Sequence, residues 1–203
     1  MASRLVPVKY VVVVFDICSS SNIIEQLTVR GHMERFLRFL TAIEGHLKAE
    51  QKTITFRLYK FIGDGWILLF PDNTGGGVLL DFLRKLCIFF RKELRRQILP
   101  YLDVPPSITG LTFGLDEGPL LPMRNYRRTE YVGRALNIAC RLQNAVKDKG
   151  GAPAYKALAS NGVFNDYLAP ATGFSVKGVK RKLRNIQGEE CISCKKIELL
   201  QLD

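Results

Sequence analysis

A chain of 203 residues, 47% apolar and 24% charged, has the composition of one ordinary globular domain, long enough to bury a core without disulfide or metal staples. Its formal charge of +11 would suit nucleic acid, an anionic membrane or a polyphosphate ligand, and selects none of them. The longest apolar runs, VVVVF at 11–15 and WILLF at 66–70, are far too short to span a bilayer. MASRLVPVKY lacks the apolar core of a signal peptide, so a cytoplasmic protein with no membrane partner is expected.

In chain order, Lys9 to Phe15 reads as a fully apolar strand ending in Asp16, and CSSSN (18–22) as a turn and helix N-cap. Met33, Phe36, Leu37, Leu40, Ile43 and Leu47 recur at helical spacing, with Gly31 breaking the start of that region. Thr53 to Ile62 and Trp66 to Phe70 form a predicted hairpin around Gly-Asp-Gly. PDNTGGG is loop, Val78 to Ile98 a long helix, and Ile108 to Leu115 a strand. A strand-like return (Gly118 to Pro122), a helix from about Gly133 to Lys147 and a short helix near Tyr155 to Asn161 follow. At least two closing strands come after Gly173. This order predicts an α+β fold: a ferredoxin-like βαββαβ core with a C-terminal extension, its helices on a mostly antiparallel sheet. With no repeat or linker, residues 1–203 read as a single domain.

Five scattered cysteines without a secretory signal argue against a disulfide framework. Cys191 and Cys194 form a CxxC in a strand-like stretch, where residues three apart point to opposite faces, so both read as ordinary thiols. The basic groups (91–96, 124–128 and 177–184) carry no interleaved aromatic residues of the nucleic-acid kind, and no nucleic-acid partner is expected.

Chemistry concentrates at three places. In a ferredoxin-like sheet the first strand neighbours the central hairpin, which brings Asp16 close to Asp64. Two adjacent carboxylates repel unless cations lie between them, and Mg²⁺ takes one or two carboxylates plus phosphate oxygens and water. The same two residues would also serve as an N-cap and a turn residue. Ser19, Ser20, Ser21 and Asn22 put hydroxyls and backbone N–H groups at a helix N-terminus, where an anion is favoured. In EYVGRALNIACRLQNA (130–145), Asn137 and Arg141 stand one turn apart on a helix with small and apolar neighbours. They would suit a sugar and a phosphoryl transition state, or equally a hydrogen-bonded pair at a subunit surface.

Together FDI (15–17), K-x-x-G-D (60–64) and G-x-x-L-N-x-x-x-R (133–141), in this order and rough spacing, resemble the class III nucleotidyl cyclase catalytic domain over essentially the whole chain. The resemblance implies that Asp16, Asp64 and the backbone carbonyl of Ile17 hold two divalent cations, Mn²⁺ or Mg²⁺. Asn137 would orient the ribose and Arg141 would bear on the α-phosphate, while Lys60 and Glu130 fall at the base-reading positions. It also implies a head-to-tail homodimer with active sites shared across the interface. One protomer would supply Asp16 and Asp64, the other Lys60, Glu130, Asn137 and Arg141. A basic residue near the closing strands should meet the terminal phosphates: Arg184 first, then Lys180 or Lys182. His32 and His46 lie away from these motifs and read as structural.

Adenine readers of the family pair a lysine with an aspartate, and guanine readers a glutamate with a small residue. Lys60 with Glu130 matches neither: the acid is one methylene longer than the adenine type, which leaves room for a smaller pyrimidine ring. Arg134 and Ser20 also depart from the usual residues at their positions. A compact, basic, undecorated domain of this kind looks like the pyrimidine cyclases of the Pycsar anti-phage systems. That likeness implies UTP as substrate, cyclic UMP as product and a separate cyclic-nucleotide-binding effector. CTP or ATP are the alternative substrates, and a non-catalytic nucleotide- or RNA-binding module is the alternative of another class.

Overall fold

The run VVVVF lies at the centre of β1 (Val8–Ile17), and all five of its residues are buried. Burial on both faces of the strand is why the run does not alternate with polar residues. Val11, Val13 and Phe15 enter one core, Val12 and Val14 another. The computed structural model describes residues 6–125, 128–146, 154–169, 173–183 and 191–200.

Two helices follow, α1 (Ser20–Val29) and α2 (Met33–Glu50), broken where expected at Gly31, whose φ of +68° ends the first. The hairpin is β2 (Arg57–Phe61) and β3 (Gly65–Pro71), and α3 (Gly76–Gln97) comes next. Leu27 of α1, Phe39 and Ile43 of α2, and Phe82 and Phe90 of α3 cover one face of the sheet against Phe15. After a 3-10 turn at Leu99–Tyr101 come β4 (Leu111–Asn125), β5 (Arg128–Val132) and α4 (Arg134–Ala145). α4 covers the opposite face, setting Ala135 and Ala139 on Val12 and Val14. β6 (Lys156–Ser160), β7 (Ser175–Arg181) and β8 (Ile192–Glu198) complete the sheet. Its order is β2-β3-β1-β4-β6-β8-β7, with β5 paired to β4. β4 and β6 run parallel, and the other described pairings are antiparallel. The first four strands are the expected ferredoxin-like core, and the class is α+β as expected.

Three expectations are corrected. The strand expected over 53–62 is confined to β2, because residues 51–53 form a turn that closes α2. Gly118 to Pro122 is no return: β4 runs straight on past the main sheet, its far end pairing with β5. The short helix expected near Tyr155 to Asn161 is instead the strand β6, followed by short helical turns at Asn161–Val163 and Phe164–Leu168. KALAS has helix-forming composition, but its slot between β4 and β8 buries Ala157, Leu158 and Ala159 completely, and tertiary packing overrides propensity.

The closeness of α4 to the sheet depends on Gly114. A Cβ there would stand 2.0 Å from the Ala139 carbonyl oxygen and 2.3 Å from the Gln143 nitrogen. Gly114→Ala must push the helix off the strand and is expected to cost about 3 kcal/mol. The readout is a lower urea midpoint at unchanged m-value; a loss under about 0.5 kcal/mol would show that α4 rides free of β4.

The cysteines are free thiols, and both histidines pack on aromatic rings. Cys191, just before β8, is exposed and Cys194 within it is buried, and burial pushes the Cys194 thiol up to about 11. His46 stacks on Phe89 with ring centres 4.2 Å apart, and burial lowers its pKa. His32 meets Tyr101 edge-on.

Candidate active site

The hairpin loop is Gly63-Asp64, closed by the Ile62 N–H donating to the Gly65 carbonyl at 2.9 Å. Gly63 takes φ +97°, a backbone conformation that favours glycine. Gly65 serves a different purpose: a Cβ there would lie 2.1 Å from the Phe15 carbonyl oxygen, so only glycine lets β3 close on β1 at this point. Asp16 is the register partner of Gly65, which puts Asp64 one residue away at the same corner of the sheet. Both aspartates are half-buried, while the Ile17 side chain is buried and leaves its backbone at the strand end. Among the described residues no cluster of three or more His, Cys, Asp or Glu could hold a metal. Two carboxylates are the donor set Mg²⁺ or Mn²⁺ accepts from protein when phosphate oxygens and water supply the rest, so the residues present fit such cations.

Lys60 and Glu130, 70 positions apart, come together: Lys60 Nζ lies 3.5 Å from Glu130 Oε2. The same oxygen accepts a 2.7 Å hydrogen bond from the Tyr59 hydroxyl, which itself accepts the Tyr131 N–H at 2.9 Å. The Tyr59 hydrogen bond above all, and the Lys60 charge after it, hold the Glu130 carboxyl below the usual carboxylate range. Burial, with the Glu130 bond, pushes the Tyr59 phenol up. Tyr59, Lys60, Thr129 and Glu130 line an open cleft of about 550 Å³.

On α4, Asn137 is exposed and Arg141 half-buried, one turn apart on the side opposite the Ala135, Ala139 and Leu142 stripe. They therefore look away from the sheet that carries Asp16. Of the three serines, Ser19 takes φ +59° and donates its hydroxyl to the Ile108 carbonyl at 2.8 Å. Ser20 is buried and Ser21 exposed, at the first turn of α1. Lys180 is exposed on β7 and Lys182 exposed just beyond it, whereas Arg184 lies outside the described residues.

Sequence reasoning missed two sets of residues. Gln143 donates to Thr112 Oγ1 at 2.8 Å with both side chains buried, and Thr112 is the register partner of Asp16 on the β4 side. This bond pins α4 to the strand beside Asp16; a lone glutamine in a helical repeat looks solvated, so nothing in the sequence marked it. Tyr59 was the other, hidden in a strand that reads as regular.

No family model matches the chain, and no curated protein sequence matches it. Solved structures do. A bacterial light-regulated adenylyl cyclase superposes with TM-score 0.72 at 17% identity over 99% of this chain, which spans 55% of that one. The guanylyl cyclase Cya2 gives 0.71 at 14% identity, over 96% of this chain and 94% of that one. The adenylyl cyclase CyaB from P. aeruginosa gives 0.63 at 17%, over 99% and 98%. With the sheet order and the β1–β3 corner described above, these superpositions identify the fold of this chain as that of the class III adenylyl and guanylyl cyclase domains.

Proposed function

We propose that this protein is a nucleotide cyclase that converts a nucleoside triphosphate, UTP by preference, to the 3′,5′-cyclic nucleotide and pyrophosphate. The observation that carries the reading is Asp16 of β1 paired with Gly65 of β3, with Asp64 next to that pair in the hairpin loop, on a cyclase fold that also holds Lys60 with Glu130 and Asn137 with Arg141.

Each side chain has a task in that reaction. The Asp16 and Asp64 carboxylates, with the Ile17 carbonyl, hold two divalent cations. Those cations, when bound, offset triphosphate charge and acidify the ribose 3′-hydroxyl. The Asn137 amide holds the ribose so that O3′ faces the α-phosphorus in line. As the O3′–P bond forms and the bond to pyrophosphate breaks, the Arg141 guanidinium neutralises the equatorial oxygens. Ser19, Ser20 and Ser21 at the start of α1, with Arg184, meet the phosphates. A head-to-tail homodimer joins the metal corner of one protomer to the Lys60, Glu130, Asn137 and Arg141 of its partner.

Lys60 donates to a base carbonyl and Glu130 accepts from a base N–H. The length of Glu130 favours the smaller uracil ring, with CTP next; Lys60 alone would favour ATP. The product is read by a separate cyclic-nucleotide-binding effector in anti-phage defence, a role supported by the resemblance to the Pycsar pyrimidine cyclases. A cytoplasmic location accords with the described residues, in which no helix is long and apolar enough to cross a membrane.

The test is incubation of the purified protein with ATP, GTP, CTP and UTP separately, plus Mn²⁺ or Mg²⁺, with products read by mass spectrometry. Cyclic UMP is expected to dominate by at least about tenfold. A dominant cyclic AMP would overturn the substrate and keep the chemistry; no cyclic product from any of the four would overturn the enzyme.

A further inference from the structure

β2 is not a regular strand. Its pairing with β3 runs from Leu58 opposite Leu68 directly to Lys60 opposite Ile67, which leaves Tyr59 as the extra residue of a β-bulge. Regular alternation would send residues 59 and 60 to opposite faces of the sheet. The bulge sends both to the side of β5 and α4. Tyr59 packs edge-on to Tyr131 with ring centres 5.4 Å apart, and Lys60 stands opposite Ile67 of that same core. Their neighbours keep to the other face, Leu58 on the α1–α3 core and Phe61 against Trp66.

The consequence is that two successive side chains reach one carboxylate oxygen, Glu130 Oε2, at 2.7 Å from Tyr59 and 3.5 Å from Lys60. The phenol is oriented as well. Its oxygen accepts the Tyr131 N–H, a donor fixed by the strand, so its proton is left for Glu130. Among the described residues the other carboxylate oxygen, Oε1, makes no hydrogen bond. Glu130 lines the cleft together with Tyr59 and Lys60.

We propose that Tyr59 is a positioning residue for base selection, holding Glu130 by Oε2 so that Oε1 accepts from a base N–H while Lys60 donates to the acceptor beside it. This rests on the cyclase reading. It sharpens the substrate class to a base edge with an N–H next to a carbonyl, as uracil presents at N3 and O4. A glutamate free to swing would follow several edges; a clamped one follows one, and that is what the bulge supplies.

The test compares Tyr59→Phe with the wild type and with Tyr10→Phe, an equally conservative change in the same aromatic cluster that does not touch Glu130. Tyr59→Phe is expected to raise KM for UTP about tenfold with kcat within about twofold, and to reduce the preference for UTP over CTP and ATP about tenfold. In nucleotide-free protein, carbon-13 titration of the Glu130 carboxyl should show its midpoint moved up in Tyr59→Phe and unmoved in Tyr10→Phe. An active wild type with unchanged base preference in Tyr59→Phe overturns the proposal. So does a changed preference with an unmoved Glu130 midpoint, since the effect would not pass through Glu130. A wild type inactive on all four triphosphates overturns the cyclase reading and base selection with it. The titration then still decides separately whether Tyr59 holds Glu130.

Discussion

Asp64→Ala is expected to lower turnover at least about 10³-fold, roughly 4 kcal/mol of transition-state stabilisation, while the protein stays folded. The separation of function from stability follows from how the hairpin is closed. Its turn is held by the backbone bond between Ile62 and Gly65 and by the positive φ of Gly63, neither of which uses the Asp64 carboxylate. The side chain is only half-buried, so its loss should lower the unfolding free energy by less than about 0.5 kcal/mol, read from the urea midpoint at unchanged m-value. Circular dichroism and denaturation check the fold, and steady-state product formation checks the rate. A variant that kept more than a tenth of wild-type turnover would remove Asp64 from the cation site. Asp16→Ala should lose activity to the same extent. It is the less clean variant, because Asp16 lies within β1, with strand partners on both sides.

The second large effect is restoration. Asp64→Ala and Asn137→Ala should each be inactive alone, yet subunits mixed in equal amounts and allowed to exchange should recover about a quarter of wild-type activity. Random pairing makes half the dimers mixed, and in each mixed head-to-tail dimer one of two sites joins an intact metal corner to an intact Asn137. The reason to expect a shared site is directional: Asn137 and Arg141 lie on the side of α4 that faces away from the sheet bearing Asp16. An inactive mixture, with exchange verified by mass and the wild type active, would place each site within one chain.

Much of this was legible in one dimension. The VVVVF run reads as a strand covered on both faces because no polar residue interrupts it, and β1 is covered so. Gly31 separates α1 from α2 because its positive φ suits few other residues. Gly63 and Gly65 frame Asp64 as expected, although for two unlike reasons: one needs the turn dihedral, the other the 2.1 Å approach to Phe15. Segments whose conformation is decided by neighbours were not legible. KALAS becomes a strand because β4 and β8 flank it, and β4 continues past Leu120, where its pairing with β1 ends, because β5 is there to pair with it.

By itself, then, the sequence determined the order of elements as far as the start of β4 and the α+β class, and it displayed the residue types available for chemistry, since apolar periodicity, glycine dihedrals and residue types are local properties. Tertiary structure alone decided which of those residues meet. Strand register set Asp64 beside Asp16, and a single unpaired residue in β2 turned Tyr59 and Lys60 together onto Glu130. Register and bulge are properties of a pair of strands, and no one strand carries them in its own residues.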